Sequence, residues 1–129
     1  MKIHHIGYLV ENIYASLEEF ERMGAERESD LIYDSERMVD IVFVRMDTML
    51  IELISPREES AEIGTSLRRL RNCPYHICFR CNDINDMIQK LVCCGSILIK
   101  EPQVAVAIDN KKVAFLYNDN IGVYEIVEE

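Results

Sequence analysis

The sequence predicts an α+β fold built from two tandem βαβββ modules. Three observations predict it: the chain contains itself twice, each copy passes from a strand-like run into an amphipathic helix, and each ends on an apolar run with one central glutamate. The repeat carries most weight, since a register kept over twenty positions is hard to obtain by chance. "HIGYLVENIYASLEEFERMG" begins at His5 and "HICFRCNDINDMIQKLVCCG" at His76, an offset of 71 (76 − 5) held without a gap to Gly24 and Gly95. Along it Ile6 matches Ile77, Tyr8 matches Phe79, Ile13 matches Ile84, Leu17 matches Ile88 and Phe20 matches Leu91. Later, "LIELI" surrounds Glu52 and "VYEIV" surrounds Glu125, an offset of 73 (125 − 52), so the halves differ by only two residues of loop.

Each element has a local reason. "HIGYLV" and "HICFRC" are short runs of strand formers. The first helix places Ile13, Leu17 and Phe20 on one face, with Glu18, Glu19 and Glu21 largely away from it. Asn12 is suited to cap its start and Gly24 to stop it in a left-handed turn. Asp83 and Gly95 play the same parts for the second helix, whose stripe is Ile84, Met87, Ile88 and Leu91. Strand-like runs follow at 39–45 and 49–54, and again at 112–117 and 123–127. The chain reads as a single domain: module 1 over about 1–56, a connector over about 57–73, and module 2 over about 74–129. The connector is charged, with a short helix expected from about 61 to 71 and Pro74 opening the next strand. It has no Gly/Ser or Pro tract of the kind that makes a flexible linker.

Composition bounds the function. Apolar residues make up 49% and charged residues 29% of 129 residues, as in a folded globular protein. No apolar run approaches the ~18 residues of a membrane span, and the N-terminal residues lack a secretory pattern, so a cytoplasmic protein is expected. Five cysteines, including the adjacent Cys93 and Cys94, fit a reducing compartment better than a disulfide framework. A net charge of −9 argues against nucleic-acid or anionic-membrane partners. The exceptions are two small basic groups, Arg68, Arg69 and Arg71 in the connector and Lys111 with Lys112.

Strand parity brings four residues to one side. Successive side chains alternate faces, so Ile6, Tyr8 and Val10, and likewise Ile77, Phe79 and Cys81, form the bulky set facing the helices. His5 and His76 then face the other way. In the last strands Ile51 and Leu53, and Tyr124 and Ile126, cover helices, so Glu52 and Glu125 point where the histidines point. A polar residue inside an apolar strand is costly without a partner, and two such pairs at equivalent positions call for one explanation. A divalent ion supplies it: imidazole nitrogen and carboxylate oxygen suit Zn, Ni, Co or Mn and leave room for substrate. Arg80 shares the parity of His76 and is a candidate for a substrate carboxylate or for a structural ion pair. Cys78 and Cys81 form a CxxC, but three residues apart on a strand they face opposite sides, which suits neither zinc nor redox use. His4 points away from His5, as a surface or interface residue.

These segments, with "HHIGYLVENI", "IELISP", "YHICFRCNDI", "KKVAFLYN" and "GVYEIVE", resemble the vicinal oxygen chelate superfamily of glyoxalases, bleomycin-resistance proteins and dioxygenases. The resemblance covers essentially the whole chain and is closest to the methylmalonyl-CoA epimerase and glyoxalase I-like branch. It implies a curved, half-open mixed β-sheet barrel around a metal cleft, with His5, Glu52, His76 and Glu125 as ligands and a homodimer as the assembly. Epimerases of the family place a catalytic glutamate sixteen residues before the second ligand, which here is Glu36 (52 − 36). The chain departs from them at Glu52, where Gln is common, at Met38, where Gly is frequent, and at Ile108-Asp109-Asn110, where His-Gly is usual.

The implied chemistry is proton abstraction beside a carbonyl, with Glu36 serving one face of the carbon and Glu125 the other. The substrate would be a small molecule of the acyl-CoA or glutathione thioester type, with Arg80, Lys111 and Lys112 as its anion contacts. Two alternatives stand beside the epimerase. One is a lactoylglutathione lyase-like enzyme using Glu52 and Glu125; the other is a non-catalytic protein that binds a small molecule or antibiotic on the same fold. A dioxygenase fits less well, because a fourth protein ligand leaves less room for substrate and dioxygen together.

Overall fold

The computed structural model describes residues 1–57, 64 and 69–129. It shows the expected mixed α+β class, organised as two compact units, one of residues 5–75 and one of residues 1–4 with 76–129. Most of the helix expected in the connector, including Arg68, lies outside the described residues. Among the described residues no helix is long and apolar enough to cross a membrane.

In the unit of residues 5–75, strand β1 (Ile3–Leu9) leads into helix α1 (Ile13–Arg22). Asn12 accepts a hydrogen bond from the Ala15 backbone N–H at 3.0 Å, which satisfies one orphan donor of the first turn. Strands β2 (Glu26–Arg27), β3 (Ile32–Asp34), β4 (Val39–Met46) and β5 (Met49–Pro56) follow. β1 pairs in parallel with β5, β5 antiparallel with β4, and β2 and β3 lie one after the other along the free edge of β4. Val10, Ile13, Leu17, Val42, Val44 and Leu53 form the core under α1, with Tyr8, Phe20 and Ile51 packed against it. This is the parity expected from the alternation of β1 and β5.

The other unit repeats the plan. Strand β6 (Cys73–Cys81), helix α2 (Ile84–Cys93), strand β7 (Ile97–Ala105), a 3₁₀ turn at Val106–Ile108, β8 (Lys111–Asn118) and β9 (Gly122–Glu128) succeed one another. β6 pairs in parallel with β9, β9 antiparallel with β8, and β8 antiparallel with β7. Asp83 caps α2 through the Asp86 N–H at 2.9 Å, and the Glu128 carboxylate takes the Ile84 N–H at 2.9 Å. Ile84, Ala114, Leu116, Tyr124 and Ile126 are its core, with Phe79, Met87, Ile88 and Leu91 against them. Residues 1–4 belong here too: the Arg80 N–H donates to the Lys2 carbonyl at 2.8 Å.

Both helices end as expected, on glycines with φ of +99° at Gly24 and +101° at Gly95. A methyl group has open space at either site, so the cost of adding one is conformational. Gly24→Ala and Gly95→Ala are each expected to lower stability by about 1 kcal/mol, read as a fall in urea midpoint with unchanged slope.

The free cysteines also follow the parity argument: Cys81 packs under α2, whereas Cys78 lies opposite Glu125 on β9. The strand that follows the helix in each module is not legible residue by residue. β2 and β3 are short and charged, and β7 carries Pro102 within an irregular stretch of its pairing with β8. Proline is tolerated there because β7 pairs only with β8 in this unit.

Candidate functional site

Within residues 5–75, β1 and β5 bring His5 and Glu52 together. Gly7 is the direct neighbour of Glu52 across the parallel pair, so His5, two residues earlier, stands on the same face. His5 Nε2 lies 2.8 Å from a Glu52 carboxylate oxygen, and both side chains are buried. Phe43 pairs directly with Glu52 from β4 and meets the His5 ring edge-on, 5.8 Å between centroids. The aromatic wall holds the imidazole plane while the carboxylate fixes which nitrogen faces it.

Within the second unit the same assembly recurs residue for residue. Cys78 is the direct neighbour of Glu125, His76 stands two residues earlier on that face, and His76 Nε2 lies 3.1 Å from a Glu125 oxygen. Phe115 pairs with Glu125 from β8 and meets the His76 ring edge-on at 5.3 Å. Glu125 and His76 are buried as well. Both phenylalanines were missed in the sequence, although "DIVF" and "KVAF" end on them at an offset of 72 (115 − 43). Each unit therefore presents one buried imidazole nitrogen and one buried carboxylate, a donor set that fits a divalent ion of the Zn, Ni, Co or Mn type.

Glu36 lies on the exposed turn between β3 and β4. That turn is tightly made: the buried Asp34 carboxylate accepts from the N–H groups of Glu36 and Arg37 at 3.1 and 3.2 Å and pairs with the Arg37 guanidinium. Met38 completes it at φ +56°, a left-handed conformation, which is the physical reason a glycine suits this position. Asp109 and Asn110, at φ +51° and +58°, make the corresponding turn before β8.

Arg80 and Lys111 converge on one carboxylate. Arg80 Nη1 contacts one oxygen of Glu129 at 2.5 Å and Lys111 Nζ the other at 2.7 Å, with His4 Nε2 at 3.8 Å. Lys112 lies 3.8 Å from Glu128. Hydrogen bonds from Lys111 and then Arg80 pull the Glu129 carboxyl from its ordinary 4.5 down to about 2. Because the folded value is depressed, the stability this gives is complete above about pH 4.5 and is lost as the pH falls toward 2. Glu129→Gln is therefore expected to flatten the decline of thermal midpoint between pH 4.5 and 2 and to lower the midpoint at pH 7, with both slopes read from a pH series of melts.

The fold and these duplicated pairs define the class. The chain belongs to the glyoxalase/bleomycin resistance protein/dioxygenase superfamily, whose model matches residues 4–115. Among solved structures it is similar to a hypothetical protein of Bacillus halodurans C-125, with a TM-score of 0.89 and 24% identity over 99% of this chain and 94% of that one. It is also similar to the methylmalonyl-CoA epimerase of Mycobacterium tuberculosis (TM-score 0.85, 19% identity, 98% and 86% covered). The Streptomyces coelicolor methylmalonyl-CoA epimerase in complex with 2-nitronate-propionyl-CoA gives 0.87 and 19%, with 100% and 94% covered. A comparison with curated proteins returned no match.

Proposed function

We propose that this protein is a metal-dependent isomerase or epimerase that removes a proton beside a carbonyl, as the methylmalonyl-CoA epimerases do. The duplicated buried His–Glu pair supports the reading: at equivalent places of the repeat, otherwise apolar strands each hold one imidazole and one carboxylate out of water, which a shared metal-binding role explains. In this reading His5, Glu52, His76 and Glu125 are the ligands of one divalent ion, Zn, Ni, Co or Mn. When bound, the ion would supply a Lewis acid that lowers the pKa of the carbon acid toward the reach of a carboxylate base.

The chain's own residues do the rest. Glu36 takes the proton at one face of the carbon; the Asp34 turn fixes its backbone, so it is presented from a set position. Glu125 returns or accepts a proton at the other face, oriented by His76. Arg80, Lys111 and Lys112 receive the anionic groups of an acyl-CoA or glutathione thioester, which exchange places with Glu129 and Glu128. The assembly is a cytoplasmic homodimer. One observation favours a second reading: Glu52 stands where epimerases commonly carry Gln, which is the glyoxalase I pattern and points to lactoylglutathione lyase-like chemistry.

Wash-in of deuterium at the α-carbon of methylmalonyl-CoA in D2O tests the proposal. Metal-reconstituted protein is expected to exchange far above an EDTA-stripped sample, and Glu36→Ala to be slower by about 10²–10⁴-fold. Exchange no faster than the protein-free blank overturns the epimerase reading. Thioester formation from methylglyoxal and glutathione would then establish the lyase, and binding without turnover would place the protein among the non-catalytic members.

A further inference from the structure

The two copies of the repeat part company along one cross-strand row. In the unit of residues 76–129, Val123 stands on the face of Glu125, two residues before it, as His76 stands two before Cys78. Val123 pairs directly with Tyr117, and Tyr117 with Ile97. Starting at His76, the row therefore reads Val123, Tyr117, Ile97, each step about 4.8 Å and the whole about 14 Å. It lies on the face of Phe115 and the His76–Glu125 pair, since Leu98, Leu116 and Tyr124 on the opposite face pack toward α2. Exposure rises outward: His76 and Glu125 are buried, Tyr117 is 36% exposed and Ile97 is 62% exposed.

The equivalent row in residues 5–75 starts on an apolar residue too but is charged at its two outer places. There Leu50, Arg45 and Glu26 occupy the matching places in the same register. The Arg45 guanidinium is held by both oxygens of Glu28 and by the Thr48 carbonyl. An exposed apolar residue alone means little on a protein surface. Two in succession, Tyr117 and Ile97, continuing from the half-buried Val123 away from a buried His–Glu pair and standing where the sister copy has Arg45 and Glu26, are a directional feature.

We propose that the Val123–Tyr117–Ile97 strip seats the unbranched alkyl or acyl chain of a substrate whose oxygens are served at the His76–Glu125 pair. Tyr117 and Ile97 are then specificity-determining residues, and the protein prefers a ligand that is apolar at one end only. The Tyr117 ring offers a flat apolar platform with a polar tip toward water, and Ile97 closes the far end. This inference rests on the metal reading above, and the test separates the two.

Full-length protein is loaded with Mn2+, with loading followed by electron paramagnetic resonance. It is then titrated calorimetrically with pyruvate, 2-oxopentanoate and 2-oxoheptanoate. Affinity is expected to rise about threefold to fourfold per added methylene. In Tyr117→Ser and in Ile97→Asn the dependence on chain length flattens, Tyr117→Phe restores it, and Mn2+ affinity is the same in all three. A flat series in the unaltered protein, or a steep one that survives both substitutions, overturns the strip while leaving the metal reading intact. Failure of the unaltered protein to bind Mn2+ overturns both. A flat series together with self-association that Tyr117→Ser abolishes also overturns it, and assigns the strip to a second copy of the chain.

Discussion

Replacing His5 with alanine is expected to cost the metal-free protein about 3–5 kcal/mol and to weaken Mn2+ binding by more than about 100-fold. The first effect follows from burial. Glu52 is only 5% exposed, and its carboxylate has the His5 imidazole at 2.8 Å. Without the imidazole the charge stays in an apolar strand between Ile51 and Leu53, facing a cavity beside Phe43. The second effect follows from the donor set, since losing a ligand costs more than the ~10–100-fold typical of an outer partner. Glu52→Gln separates the two. An amide keeps the shape and accepts or donates one hydrogen bond, so stability should change by under about 1 kcal/mol while metal affinity still falls. Urea melts with and without EDTA, together with Mn2+ titrations, read both quantities. A His5→Ala protein as stable as the parent would show that the pair is dispensable to the fold, and unchanged Mn2+ affinity would remove His5 from the ligands.

Leu116→Ala is expected to be the most damaging truncation in the second unit, at about 2–5 kcal/mol. Leu116 has no exposed surface and sits among Ile84, Ala114, Tyr124 and Ile126, where β8 meets the underside of α2. The rigid pair of sheet and helix leaves little room for collapse around the missing atoms, so the cavity term adds to the transfer term. Its repeat partner, Val44, is equally buried in the first unit, but it carries one methylene less. Val44→Ala should therefore cost about 1 kcal/mol less than Leu116→Ala. Chemical denaturation of both variants checks the order; a reversed order would mean that the first core is packed more tightly than the second.

Much of this fold could be read from the sequence because the repeat supplies a second witness for every inference. Asn12 and Asp83 cap, Gly24 and Gly95 terminate, and Tyr8 and Phe79 face helices, each pair agreeing independently. Both His–Glu pairs follow from period-two alternation, a geometric rule with no free parameter. The reading loses its grip where the copies differ. β2 and β3 form because β4 offers an unpaired edge, not because "ERESDLIYD" alternates; its apolar residues are too few to mark a strand. The exposure of Glu36 depends on the Asp34 turn, whose hydrogen bonds leave no periodic signature. Arg80 carried two readings in sequence, and the Glu129 carboxylate it meets comes from a residue 49 positions later, at the far end of β9.

Residues 1–4 are part of the unit otherwise formed by residues 76–129, with Lys2 bonded to Arg80 across most of the chain. On the ribosome this segment emerges long before its partner strand exists. At about 5–20 residues per second, several seconds separate the synthesis of Lys2 from that of Arg80. The repeat thus looks serial on paper but is interlaced in the molecule. A fragment that begins in the connector would lack four residues of its own unit, the ones that reach Arg80 through Lys2.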